Sequence, residues 1–172
     1  SVREPASQCG VVGMAPSPGL VPLDGVVPFA PRLDRVGPLG RSVGDVRRLL
    51  HVLAGSPGPT ELPVRHDEPL RVGIVDELSG RVNQDGVLRC FDGVLDGLAE
   101  LGVDVVRVLV PEGPRGLASY MSLTSAACVP VLEPWVATGR AGEEVARRVA
   151  IGRDLLATAD GQDELDRAEH VR

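Results

Sequence analysis

The sequence contains no lysine, because all 18 of its strongly basic residues are arginine. A neutral, buried lysine is one of the side chains that can take the proton from a serine nucleophile. No mechanism can therefore use a lysine of this chain as its base. Aromatic residues are also scarce, at 2% of the 172 residues. The core must then rest on Val, Leu and Ala rather than on large aromatic anchors.

Three further absences limit the function classes. No apolar run approaches the roughly 18 residues of a membrane-spanning helix, and no signal-peptide core follows the N-terminus, so we expect no membrane partner. The net charge is −6 and arginines are spread among acidic residues, so nucleic acid is not expected as a direct partner. The odd number of cysteines, Cys9, Cys90 and Cys128, with no CxxC pair, predicts reduced thiols in a cytoplasmic protein.

The composition that remains is globular, with 43% hydrophobic residues and a mean hydropathy of +0.07. The length favours one domain. The chain starts with Ser rather than Met, and we expect it to be a fragment of a longer chain. Glycine and proline are dense over residues 1–40, which predicts a structured loop. Within it, Val11–Val12 and Val26–Val27 are candidates for brief strands or buried contacts.

A regular pattern begins at Ser42, which with Asp45 forms a weak capping box ahead of apolar residues at helical spacing. Gly55 is the predicted end of this helix. Residues 56–69 hold four prolines and mixed charges, which indicates a surface connection. These features separate a first block, 1–55, from the remainder of the chain.

Residues 70–111 predict a βαβ unit, with a strand over 71–75, a helix ending before Gly102, and a β-branched run over 103–110. The apolar face of the helix consists of Val87, Leu88, Phe91, Val94, Leu95, Leu98 and Leu101. Residues 112–172 predict a helical segment, in which Leu117–Cys128 is apolar and Glu143–Thr158 is amphipathic.

Chemistry is concentrated in the first sixteen residues. They read Ser1, Val2, Arg3, Glu4, Pro5, Ala6 and, after two residues, Cys9, Gly10, Val11, Val12, Gly13, Met14, Ala15, Pro16. This resembles the amidase signature family, in which Gly-Gly-Ser-Ile-Arg-x-Pro-Ala precedes Gly-Val-Val-Gly-Leu-Lys-Pro-Thr. The run Leu33, Asp34, Gly37, Pro38, Arg41, Ser42, Val43 resembles the family's next signature. The likeness is strong over 1–55, moderate over 70–111 and thin beyond.

The resemblance implies an α/β fold, with a mixed central sheet flanked by helices, of which this chain would supply an incomplete central portion. It implies a carboxamide hydrolase that forms an acyl-enzyme on Ser1 and needs no metal or organic cofactor. A second serine, held in a cis peptide, and a lysine assist this nucleophile in the family. The implied partner is a small-molecule amide, and a homodimer of the intact parent is compatible with the resemblance.

The family's lysine and bridging serine lie upstream of the nucleophile, so two of three catalytic partners are absent from this chain. Most backbone donors of the oxyanion hole also precede Ser1, and losing one such donor costs about 2.7 to 4 kcal/mol of transition-state stabilisation in the best-studied case. Arg3 matches an arginine that supports the site by pairing with an upstream acidic residue. We therefore expect the chain alone to be inactive.

Several alternatives stay open. Ser1 could be an N-terminal nucleophile whose own α-amine is the base. The chain could be a non-catalytic remnant or scaffold of the fold, in which case no in-frame lysine or Gly-Ser-Ser stretch would lie upstream. The family also includes the A subunit of the glutamyl-tRNA amidotransferase. The run Phe-Asp-Gly-Ile-Arg-Tyr-Gly associated with that protein is not found after Ser125, which favours a stand-alone amidase.

Other polar residues have structural interpretations. His51, His66 and His170 lack the spacing of metal ligands. The adjacent carboxylates of Asp76–Glu77, Glu143–Glu144 and Asp163–Glu164 are predicted to lie on solvated faces. Cys9 has no neighbouring base and is predicted to be a packing residue.

Overall fold

The computed structural model describes residues 2–55, 70–79 and 83–171, which form six α-helices and four short strands. The strands form an antiparallel pair and a parallel pair, so the predicted α/β class is confirmed. In chain order the elements are α1 Arg3–Cys9, β1 Val12–Gly13, β2 Leu39–Gly40, α2 Val43–Leu53, β3 Arg71–Val75, α3 Asp85–Glu100, β4 Asp104–Val108, a 3-10 turn Gly113–Arg115, α4 Gly116–Ala137, α5 Glu143–Ala157 and α6 Ala159–Val171.

The chain divides into two compact units. The first comprises Ser1–Leu62 and Leu123–Thr158, and the second comprises Pro63–Ser122 and Ala159–Arg172. Helix α4 contributes to both, with the division after Ser122. The interpretation of residues 1–172 as one partial domain in four segments stays a prediction. The predicted connection over 56–69 lies outside the described residues.

Residues 2–40 contain more regular structure than the predicted loop. Helix α1 occupies Arg3–Cys9, and Gly10 ends it at a φ of 63°, where its N–H donates to the carbonyl of Ser7. A left-handed residue at this position is a common helix ending that glycine adopts without steric cost. The prediction for Val26–Val27 is wrong, because both side chains are exposed and neither residue is in a strand. The Val11–Val12 prediction is partly confirmed, since Val12 belongs to β1.

Helix α2 confirms the prediction made from Ser42. The Oγ of Ser42 accepts a hydrogen bond from the backbone N–H of Asp45 at 3.1 Å and donates one to its carboxylate at 2.8 Å. This arrangement satisfies one of the backbone donors that a helix N-terminus leaves free. At the other end Gly55 has a φ of 64°. Val46 is the buried residue of this helix.

The second unit contains the predicted βαβ unit. Strands β3 and β4 are parallel, with Arg71 opposite Asp104 and Val75 opposite Val108. The same strands carry ion pairs between Arg71 and Asp104, at 2.6 Å, and between Arg107 and Asp76. Gly102 follows α3 at a φ of 74°, as predicted.

The apolar face of α3 is only partly covered. No residue of α3 is buried, and Val87 and Val94 are 54% and 59% exposed. Two strands are too narrow a sheet to cover a helix of 16 residues. The expectation that an incomplete portion of the fold leaves apolar faces exposed is therefore confirmed for this helix.

The predicted helical segment after residue 112 is confirmed as α4, α5 and α6. Helix α4 extends well past Cys128 and contains Pro130 and Pro134. An internal proline normally disfavours a helix, because it removes a backbone donor and crowds the preceding turn. Within the second unit, buried Ser122 of α4 donates a hydrogen bond to the carboxylate of Glu164 in α6. No helix in the described part of the chain is both long and apolar enough to cross a membrane.

Candidate active site

The predicted nucleophile, Ser1, lies outside the described residues. The peptide bond joins it to Val2, which occupies the position before the first turn of α1. The carbonyl of Val2 accepts a hydrogen bond from the N–H of Ala6 at 3.2 Å. The carbonyl of Ala6 in turn accepts one from Val11 at 3.0 Å. These bonds attach the residue next to Ser1 to a helix and to the segment that leads into β1.

Arg3 is the first residue of α1, and its side chain is exposed. Within residues 2–55, 70–79 and 83–171, no ion pair joins Arg3 to a carboxylate. The described structure therefore does not bring Arg3 together with an acidic partner. Its supporting role stays a prediction.

Two glycines allow backbone segments to approach Val2 closely. A Cβ on Gly13 would overlap the Cβ of Ala6 and lie 3.1 Å from the carbonyl oxygen of Val2. A Cβ on Gly37 would overlap the carbonyl oxygen of Met14 and lie 3.2 Å from a methyl group of Val2. Both glycines belong to the signature runs identified in the sequence. Their role in this structure is to make room next to the residue that follows Ser1.

Asp34, another signature residue, organises the loop that leads to Gly37. Its carboxylate accepts hydrogen bonds from the N–H groups of Phe29 at 2.9 Å and Ala30 at 3.0 Å. The N–H of Asp34 donates to the carbonyl of Ala30 at 2.8 Å. The Arg35 guanidinium donates to the carbonyl of Asp34 at 2.6 Å. Asp34 is thus committed to backbone hydrogen bonds, a structural role rather than an acid–base one.

A cavity of about 380 Å³ lies beside this loop. Its lining is mostly apolar, with Arg32, Asp34 and Arg35 as the charged residues. Pro16 and Val36 both line it, and Pro16 would be 3.1 Å from a Cβ on Gly37. The cavity therefore adjoins the segment that packs against Val2.

Sequence analysis missed a buried polar cluster where α4 meets α5 in the first unit. Thr124, Ser125 and Cys128 are each at most 1% exposed. The Arg148 guanidinium donates to the Oγ of Ser125 at 3.1 Å, and its side chain is only 14% exposed. The available signal was three small side chains at helical spacing in α4. This signal does not identify which residue of another helix they contact.

Glycine also controls this helix crossing. A Cβ on Gly152 would overlap the carbonyl group of Ser125 and lie 2.6 Å from a methyl group of Val129. On the solvent side of α5, the Arg147 guanidinium bonds to Glu144 and lowers the pKa of its carboxyl group. Glu144 also lies 3.7 Å from Arg148, so it interacts with both arginines.

The three cysteines are free thiols. Cys9 is exposed, so its prediction as a buried packing residue is wrong: it lies in the last turn of α1, away from Ala6, the buried residue of that helix. Cys90 is exposed, whereas Cys128 is buried. Burial raises the pKa of the Cys128 thiol, and the nearby Arg148 charge opposes this shift in part.

We expect the thiols to differ in reactivity because the thiolate is the species that reacts. With iodoacetamide at mildly alkaline pH, Cys9 and Cys90 should be alkylated in the folded chain, whereas Cys128 should react only after unfolding in urea. Mass mapping of the cysteine peptides measures each site. The internal control is the urea-unfolded sample, in which all three should react. Equal alkylation of Cys128 and Cys9 in the folded chain would contradict the buried position.

The remaining candidates do not form a site within the described residues. No group of three His, Cys, Asp or Glu side chains there could hold a metal ion. His51 lies in α2 as predicted, and His66 lies outside the described part. Asp76 pairs with Arg107, and Glu77 accepts from the N–H of Val110 at 3.0 Å, so both join the ends of β3 and β4.

Comparison with known proteins identifies the relatives of this chain. A family model described as Amidase matches residues 1–159. The A subunit of glutamyl-tRNA(Gln) amidotransferase from Thermus thermophilus is 35% identical over 204 aligned residues, which cover 100% of this chain and 43% of the relative. The protein of the same name from Anaeromyxobacter dehalogenans is 39% identical over 142 residues, which cover 73% of this chain and 28% of the relative. The chain thus spans less than half the length of these relatives.

Solved structures give the same result. A crystal structure of an amidase matches 99% of this chain with a TM-score of 0.80 and 26% identity, and the match covers 38% of that protein. The crystal structure of the glutamyl-tRNA(Gln) amidotransferase A subunit from Thermotoga maritima matches 99% of this chain with a TM-score of 0.70 and 29% identity. That match covers 39% of the second protein.

Proposed function

The chain belongs to the amidase family, and from this premise we propose that the intact protein hydrolyses a carboxamide with Ser1 as its nucleophile. The observation that carries the proposal is the run Ser1, Val2, Arg3, Glu4, Pro5, Ala6, which opens the region matched by the family model. The hydroxyl of Ser1 attacks the amide carbon and loses its proton to a base. The tetrahedral intermediate then expels the amine and leaves an acyl group on Ser1, which water removes.

The base and the bridging serine of this mechanism are supplied by residues upstream of Ser1. A serine hydroxyl is a poor nucleophile at neutral pH without a neighbouring base, and this chain has no lysine. The proposal therefore assigns activity to the intact protein and inactivity to the chain alone. Arg3 supports the site by pairing with an acidic residue outside this chain. Residues 1–172 act as one partial domain of a cytoplasmic enzyme that needs no cofactor.

The second candidate is the amide-hydrolysing component of an amidotransferase. The observation that favours it is that the relatives from Thermus thermophilus and Anaeromyxobacter dehalogenans both carry the name of such a component. A protein of this kind would use Ser1 in the same way and would require a protein partner in addition to the amide. A stand-alone amidase would act without that partner, as a monomer or as a homodimer.

Labelling with a fluorophosphonate tests Ser1 directly. In this reaction the serine oxygen attacks phosphorus and displaces fluoride, which gives a stable adduct only on an activated serine. We expect the intact protein to carry the label on the peptide that contains Ser1, as located by mass spectrometry. The Ser1→Ala variant should not be labelled, whereas Ser7→Ala, which changes an exposed serine of α1, should be labelled normally.

Two results would oppose the proposal. A label that persists in Ser1→Ala would mean that another serine is the activated one. A coding region without an in-frame lysine and a Gly-Ser-Ser stretch upstream of Ser1 would favour the non-catalytic scaffold instead.

A further inference from the structure

The contact between Gly13 and the start of α1 bears directly on the proposed nucleophile. Gly13 belongs to β1 and pairs with Leu39 of β2. Its Cα lies against Ala6, which is 2% exposed, and against the carbonyl oxygen of Val2. A β-strand thus packs against the turn of helix that begins one peptide bond after Ser1.

The requirement for glycine at this position is one of space. Gly13 is not among the glycines with positive φ, so its backbone would accept an L side chain. An added Cβ would instead overlap the Cβ of Ala6 and would lie 3.1 Å from the oxygen of Val2 and 3.7 Å from the Cα of Arg3. A methyl group here must therefore displace the first turn of α1 from β1.

We propose that Gly13 and Ala6 are positioning residues, whose close contact fixes Val2 and through it the nucleophile Ser1. This inference rests on the proposed function. A misplacement of about 1 Å at a reacting group can lower the rate on the order of 100-fold. The carbonyl of Val2 faces the contact, so displacement of the helix turn is transmitted to Ser1 through a single peptide unit.

The pair can be tested by exchanging the sizes of its two side chains in the intact protein. Gly13→Ala adds a methyl group that overlaps Ala6, and Ala6→Gly removes the methyl group that it would overlap. The double variant Ala6→Gly/Gly13→Ala keeps one methyl group between the two backbones. We expect kcat to fall about 100-fold in Gly13→Ala and several-fold in Ala6→Gly, with little change in KM. The double variant should recover most of the Gly13→Ala loss.

Gly40→Ala serves as the matched control in the neighbouring strand. Its Cβ would lie 3.2 Å from atoms of Asp45 and Val46 and would not meet Val2. We expect this variant to unfold at a lower urea concentration while its kcat stays within about 2-fold of the parent, as for a change distant from the reacting groups. The rate of fluorophosphonate labelling of Ser1 should follow kcat across the series. Because Ala6→Gly crowds nothing, it keeps the test usable if Gly13→Ala does not fold.

The outcomes separate this inference from the function on which it rests. Retained turnover in Ser1→Ala would overturn the proposed nucleophile. Loss of turnover in Ser1→Ala, together with an unchanged kcat in Gly13→Ala and Ala6→Gly, would overturn only the positioning role. Additive losses in the double variant would also overturn it, because two groups that act through one contact give non-additive effects. A recovered kcat and labelling rate in the double variant would establish the coupling.

Discussion

Replacing Ser1 by alanine in the intact protein is expected to lower kcat for amide hydrolysis on the order of 10⁶-fold, the loss found when a serine protease loses its nucleophile. The physical reason is that alanine has no oxygen to attack the carbonyl carbon, so no acyl-enzyme forms. The residual rate comes from groups that bind the substrate and stabilise the transition state. KM should change little, because the hydroxyl contributes mainly to the chemical step.

The measurement is the release of ammonia from a panel of primary carboxamides that includes glutamine. Ser7→Ala is the matched control, since Ser7 lies in the same helix and is exposed. It should retain the kcat of the parent. Release of ammonia by Ser1→Ala at a rate within about 10-fold of the parent would show that Ser1 is not the nucleophile. The isolated 172-residue chain should release none, because it lacks a lysine.

The elements predicted correctly are those whose signals lie within a few residues. Ser42 and Asp45 are three positions apart, and their mutual bonds begin α2 as the capping pattern indicates. The strand, helix and strand of the second unit are predicted by periodicity and by Gly102 at the helix end. In each case one segment contains all the residues that decide its conformation.

The elements predicted incorrectly depend on contacts between distant segments. Helix α1 is hidden among glycines and prolines, although Glu4 in its first turn and Gly10 at its end are recognisable signals. Helix α4 continues through Pro130 and Pro134, which local rules count against it. Helix α3 shows the reverse case: its apolar periodicity predicts the helix correctly, but periodicity does not tell whether a partner covers the face.

The candidate site divides in the same way. The signature residues are identifiable from the sequence, and the nucleophile assignment depends on that resemblance. The reasons for Asp34, Gly13 and Gly37 come only from the structure, because each acts on backbone atoms of another segment. A glycine required by space has the same appearance in a sequence as a glycine required by a turn. Only its surroundings separate the two cases.

Gly152→Ala is expected to cause the largest loss of folding stability among substitutions of a single methyl group in the first unit. The added Cβ would overlap the carbonyl group of Ser125 and would lie 2.6 Å from a side-chain atom of Val129. Overpacking of a buried site costs about 1–3 kcal/mol, and the upper end applies here because the overlapped group is helix backbone rather than a flexible side chain. Separating the helices would also disturb the Arg148 bond to the buried Ser125 hydroxyl.

Trp135 provides the measurement, because it is the only tryptophan in the chain and lies in the part of α4 that belongs to the first unit. Its ring packs against the Arg140 guanidinium at 5.1 Å. In a urea titration followed by fluorescence, the midpoint for Gly152→Ala should fall by about 1 M or more. Gly44→Ala is the matched control: its Cβ meets nothing closer than 3.7 Å in α2, so the same change should raise stability by up to about 1 kcal/mol. Opposite shifts in the two variants would establish that packing decides the sign, since the gain in helix propensity is common to both. Equal shifts would mean that α5 does not approach α4 as closely as the backbone of Gly152 indicates.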